Sequence, residues 1–77
     1  MNKSRRNQLI KLQDTINTVK EALEVLLEEE EEARDNIPES MQSSERYERA
    51  EAACDAIQSA IDALEEAAEE IEEAYQK

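Results

Sequence analysis

The 77-residue chain contains no glycine, no histidine, no phenylalanine and no tryptophan, with one proline, one cysteine and two tyrosines. Each absence removes a class of protein. Without histidine there is no ordinary general base and no imidazole metal ligand, and without glycine there is no phosphate-cradling loop and no oxyanion turn. Catalysis would have to come from carboxylates alone, so the chain is expected not to be an enzyme and to carry neither metal nor cofactor. The lack of turn formers and aromatics, set against abundant Glu, Ala and Leu, favours helix over sheet. A lone Cys54 cannot form an internal disulfide. It is expected either as a small buried hydrophobe or in a symmetric intermolecular disulfide.

Long apolar runs are also missing. The basic start, Met1 to Arg6, passes into alternating polar and apolar residues, with no stretch of signal-peptide or membrane-spanning length. A soluble, cytoplasmic protein without membrane contact is the expectation.

What the sequence does contain is periodicity. Leu9, Leu12, Ile16, Val19, Leu23 and Leu26 step by 3 and 4, and the pattern continues through Glu30, Ala33 and Ile37 with only Glu30 out of character. Tyr47, Ala50, Cys54, Ile57, Ile61, Leu64, Ala68, Ile71 and Tyr75 repeat it without a fault. Such a heptad stripe is the seam of a coiled-coil helix. One helix is therefore predicted from about residue 4 to 34, a turn over about 35–43, and a second helix from about 44 to 76, as a single unit spanning 1–77. In the turn, Pro38 is placed to start a short helical turn, and Ser43 or Ser44 to cap the second helix.

Folding back so that paired residue numbers sum to about 80 joins Leu26 to Cys54, Leu23 to Ile57, Val19 to Ile61, Ile16 to Leu64, Leu12 to Ala68 and Leu9 to Ile71. The predicted fold is all-α, a long antiparallel two-helix hairpin of coiled-coil type. Charge agrees with this direction: residues 1–27 carry Lys3, Arg5, Arg6, Lys11 and Lys20 against Asp14, Glu21 and Glu24, or +2. The remainder is then −14, which recovers the net charge of −12. Exposed ion pairs of this kind contribute little individually, about 0–1 kcal/mol, but they select antiparallel over parallel packing.

A single two-helix interface hardly offsets the conformational entropy of so small a chain. Ile10, Val25 and Leu27 broaden the first helix's stripe, and Ala53, Ala60, Ala67 and Ala74 recur every seventh residue beside the second seam, where small side chains allow close helix approach. These residues, Ile10, Val25, Leu27, Ala53, Ala60 and Ala67 above all, are the candidates for self-association into a homodimeric four-helix bundle.

Two surfaces are candidates for function. The consecutive carboxylates Glu28 to Glu32 point in different directions around a helix and cannot converge on one ion. With Glu39 and Glu45, the outward-facing Glu28, Glu29, Glu31 and Glu32 instead offer an acidic face that imitates a nucleic-acid backbone for a basic protein partner. Direct binding of nucleic acid is excluded by the same charge. Ser43, Ser44, Arg46, Tyr47 and Arg49 cluster at the start of the second helix, where free N–H groups and the helix dipole favour an anion such as a nucleotide phosphate.

The segment NIPESMQSSERYERAEAACDAIQSAIDALEEA, residues 36–68, with Asn36-Ile37-Pro38-Glu39 followed by Ser44-Glu45-Arg46-Tyr47, resembles small acidic helical-hairpin proteins of phages and prophages of Gram-positive anaerobes. The resemblance implies interference with a host system, either as a decoy for a nucleic-acid-processing defence factor or as an oligomer that sequesters a nucleotide signal. The expected function is thus a non-enzymatic inhibitor that binds a basic host protein. A nucleotide-sequestering oligomer and a structural coiled-coil assembly factor are the alternatives.

Overall fold

The computed structural model describes all residues, 1–77, as two long helices folded against each other, α1 over Lys3–Asp35 and α2 over Glu45–Tyr75, joined through a 3-10 turn at Glu39–Met41. The hairpin is a rod whose Cα envelope measures 60 × 15 × 12 Å. No helix is long and apolar enough to cross a membrane.

Local chemistry sets the element ends. The Asn2 side chain caps α1 by accepting from the Arg5 N–H at 2.7 Å, which starts the helix one residue earlier than the apolar period alone suggests. At the other end Asn36 keeps helical angles and its N–H donates to the Glu32 carbonyl at 3.0 Å, the Ile37 N–H donates to the Arg34 carbonyl at 3.1 Å, and Pro38 stops propagation because proline disfavours helical geometry in the residue before it. Pro38 then leads into the single 3-10 turn as expected. Ser44 caps α2, its hydroxyl accepting from the Tyr47 N–H at 3.3 Å. Ser43, the other candidate cap, is exposed.

The register matches the sequence-derived fold-back point. Arg6 Nε donates to the Tyr75 carbonyl at 2.8 Å and Gln13 Nε2 to the Ala68 carbonyl at 3.0 Å, so level residues sum to 81. The α2 seam runs through the anticipated residues, with Cys54, Ile61 and Ala68 buried and Tyr47, Ala50, Ile57, Leu64, Ile71 and Tyr75 half-buried.

The α1 seam differs. Leu9, Ile16 and Leu23 lie half-buried as expected, but the intervening positions are Gln13, Lys20, Leu27 and Arg34, not Leu12, Val19, Leu26 and Ala33. Leu12 is 55% exposed, Val19 45% and Leu26 51%. The layer pairings Leu26–Cys54, Val19–Ile61 and Leu12–Ala68 are therefore corrected to Leu27, Lys20 and Gln13 as the α1 members. Leu27, expected to face a second molecule, belongs to the hairpin's own seam. Both stripes contain Leu9, Ile16 and Leu23, and they differ by a rotation of α1 of about 50°, half the 100° separating successive residues. The rotation is tolerable because Lys and Arg can lay their aliphatic stems along a seam and keep their charges wet. Gln13 also gains specific partners, donating to Ala68 and accepting from the Tyr75 hydroxyl at 2.8 Å.

Candidate functional site

The turn end of the rod holds a cavity of about 530 Å³, open to solvent, lined by Glu30 and Ala33 of α1, Ile37 of the connection, and Glu45, Arg46, Arg49 and Ala50 of α2. Its floor is apolar, since Ile37 is only 5% exposed and Ala33 and Ala50 are small. Its rim carries two cations and two anions. Arg49 pairs with Glu45 one turn back on the same helix, both side chains well exposed. Arg46 takes part in no ion pair.

Of the anion candidates, Arg46 and Arg49 are brought onto this cavity and the other three are not. Ser44 uses its hydroxyl to cap α2, and the Tyr47 N–H is the group that cap satisfies. Ser43 lies outside, exposed in the connection. Glu30 and Glu45 balance the two arginines in formal charge, and of those arginines only Arg49 is held in an ion pair, with Glu45.

Beyond the cavity, the electrostatics of the seam centre on Arg34 and Cys54. Arg34 Nε donates to Asp35 Oδ1 at 3.0 Å, and this hydrogen bond holds the guanidinium above its ordinary value. Burial pushes the Cys54 thiol up, with Arg34 opposing and Glu30, Glu31 and Asp55 reinforcing. The thiol is 4% exposed and free.

The helical rows beside the seam sort the rest of the surface into two unlike faces. In an antiparallel pair, the row preceding each seam position on one helix lies on the same side as the corresponding row of the other. The turn cavity shows this directly, because Ala33 of α1 and Arg46 and Arg49 of α2 line it together. On that side α1 presents Gln8, Leu12, Thr15, Val19, Ala22 and Leu26, and α2 presents Ala53, Ala56, Ala60, Ala63 and Ala67. None of these is charged, in a chain whose residues are 39% charged; the same rows also carry Glu70, level with Gln8 and Leu12, and toward their ends Arg5, Glu29, Arg46 and Arg49. On the opposite side α1 presents Asp14, Glu21, Glu24, Glu28 and Glu31, and α2 presents Glu48, Glu51, Asp55, Asp62, Glu65, Glu69 and Glu72. None of these carboxylates belongs to an ion pair; the pairs present are Arg34–Asp35, Arg49–Glu45 and Lys77–Glu73.

The acidic-face candidates distribute accordingly. Glu28 and Glu31 lie on the acidic flank. Glu29 falls at the edge of the uncharged face, Glu32 on the outer back of α1, Glu39 on the 3-10 turn and Glu45 at the cavity rim. The sequence reading concentrated on the run of glutamates and missed the longer acidic flank, whose signal was the repeat of carboxylates at heptad positions 48, 55, 62 and 69, and 51, 65 and 72. Among the self-association candidates, Ala60 is exposed and Ala53 and Ala67 half-buried on the uncharged face. Ile10 and Val25, 37% and 56% exposed, lie off it. No cluster of acids converges as a metal site.

No protein-family model matches the chain, and no curated protein or solved structure matches it either.

Proposed function

We propose that the chain is a non-enzymatic interaction protein that binds a basic protein partner along its acidic flank. The observation that carries this reading is the segregation of unpaired carboxylates onto one long side of the rod. Within the hairpin, α1 and α2 both turn carboxylates to that side, and Glu31 of α1 and Asp55 of α2 both raise the Cys54 thiol between them. Like charges held side by side raise the free energy of the unbound rod, and a cationic groove relieves that repulsion on binding. A groove built for a nucleic-acid backbone fits a rigid, linear array of this sign, so a nucleic-acid-processing protein is the partner class. For a phage-encoded chain, as the resemblance implies, that partner is a host defence factor and the effect inhibition.

The test is recovery of partners from a host lysate on the immobilised chain and on a variant with Glu21, Glu24, Glu51 and Glu65 changed to Gln. The expected partners are basic, are displaced by duplex DNA and by rising salt, and are lost with the variant. Equal recovery on the neutralised variant would refute the reading.

A second reading rests on the cavity at the turn, where Arg46 has no carboxylate partner and the floor is apolar. That arrangement suits a phosphate-bearing ligand with a flat or apolar body, such as a nucleotide. Thermal stabilisation by nucleotides that disappears in Arg46→Ala, and survives neutralisation of the acidic flank, would establish it; no stabilisation by any nucleotide would eliminate it.

A further inference from the structure

We propose that the uncharged face is a self-association surface on which a second copy of the chain docks, α1 of each copy against α2 of the other, making a four-helix bundle. This goes beyond the binding of a basic partner, because it uses the side of the rod that the acidic flank leaves free.

The hairpin alone leaves this face uncovered. Its buried residues are limited to Ile37, Cys54, Ile61 and Ala68, while Leu12, Val19 and Leu26 stand about half exposed in a line. An exposed apolar line of this length costs free energy in water and is seldom left without a partner.

The occupant follows from shape. With level residues summing to 81, Leu12 lies level with the gap between Ala67 and Ala74, Val19 with the gap between Ala60 and Ala67, and Leu26 with the gap between Ala53 and Ala60. A half-turn about an axis along the rod, midway between two such faces, preserves these levels and lays α1 over the second copy's α2, antiparallel. The large residues of each copy then drop between the alanines of the other, as ridges pack into grooves. Val19 and Leu26 meet alanines alone, Ala60, Ala63 and Ala67 for the one and Ala53, Ala56 and Ala60 for the other, while Leu12 lies beside Glu70.

Charge agrees with the same occupant. The middle of the face carries only Glu70, and toward the turn the operation brings Glu29 of α1 within about one helical turn of the second copy's Arg49. The uncharged stretch of α1, from Gln8 to Leu26, runs about 27 Å at 1.5 Å per residue.

Light scattering and sedimentation equilibrium of the full chain, under reducing conditions and from micromolar to submillimolar concentration, test the proposal. The expected mass is twice 8.8 kDa, falling to one chain in Val19→Asp and in Ala60→Glu, each with helical circular dichroism retained. A wild-type mass of one chain or of more than two, or variants that keep the two-chain mass, would overturn it. The arrangement has its own readout, which does not depend on charged substitutions. Chains carrying only Val19→Cys or only Ala60→Cys, both with Cys54→Ala, are mixed and oxidised. Predominant mixed disulfides support α1-on-α2 docking, and linkage confined to like chains overturns it.

Discussion

Replacing Lys20 by leucine tests the rotated seam of α1. Lys20 is half-buried at the level of Ile61, one of the few buried side chains of the molecule. Fully burying a leucine contributes about 1.5–3 kcal/mol, so a half-buried position corresponds to roughly 1 kcal/mol. The lysine stem already covers some of that surface, and the substitution forfeits the weak attraction of Glu24 one turn on, about 0.2–0.5 kcal/mol. Lys20→Leu is therefore expected to stabilise the hairpin by about 0.5–1 kcal/mol, a rise in Tm of about 2–8 °C for a chain of this length. Thermal unfolding followed by circular dichroism reads the change, with Lys11→Leu, at an exposed position, as the control for charge and helix propensity. Because Lys20 points away from the uncharged face, the effect is independent of dimer formation. A Tm that falls, or that rises no further than in Lys11→Leu, would refute the placement of Lys20 in the seam.

Three further outcomes are expected. Ser44→Ala removes the α2 cap and costs about 1 kcal/mol in denaturant unfolding, whereas Ser43→Ala, at an exposed position in the connection, leaves stability unchanged within about 0.5 kcal/mol. Tyr75→Phe deletes the hydroxyl that donates to Gln13 and lowers stability by about 0.5–1.5 kcal/mol, most visibly as faster amide exchange in the last turns of α2. Burial raises the Cys54 thiol, so the folded chain keeps that proton to higher pH than the unfolded chain; its contribution is complete below the ordinary thiol range and is lost as pH climbs through the raised value. Alkaline destabilisation is thus expected to be shallower in Cys54→Ala than in the parent, and identical pH profiles would show that the thiol is not responsible.

The helices, their direction and the register were legible because heptad spacing, Pro38 and the caps all act locally and agree. The face that α1 turns inward was not. Leu9, Ile16 and Leu23 satisfy either stripe, and hydropathy alone prefers Leu12, Val19 and Leu26 to Gln13, Lys20 and Leu27. Counting apolar residues cannot anticipate that Gln13 will find the Ala68 carbonyl and the Tyr75 hydroxyl across the seam, since those partners lie more than fifty residues away. The alanine row was visible at heptad spacing, but its meaning depended on which α1 row shared its side. At the turn, sequence proximity grouped Ser43, Ser44 and Tyr47 with the two arginines. The fold uses Ser44 for capping and brings Glu30, Ala33 and Ile37 to Arg46 and Arg49 from the preceding helix instead.

The slenderness of the rod has a consequence for the ions around it. A net charge of −12 spread over 60 Å is one charge per 5 Å. Two unit charges in water interact with thermal energy at about 7 Å, so the charges are spaced more closely than heat can ignore and monovalent cations gather along the surface. Two copies docked side by side would reach one charge per 2.5 Å, approaching the value of about 1.7 Å for duplex DNA. A cationic protein that settles on the rod therefore displaces a sheath of small ions, and their release into bulk solution supplies an entropy gain that shrinks steadily as the surrounding salt becomes more concentrated.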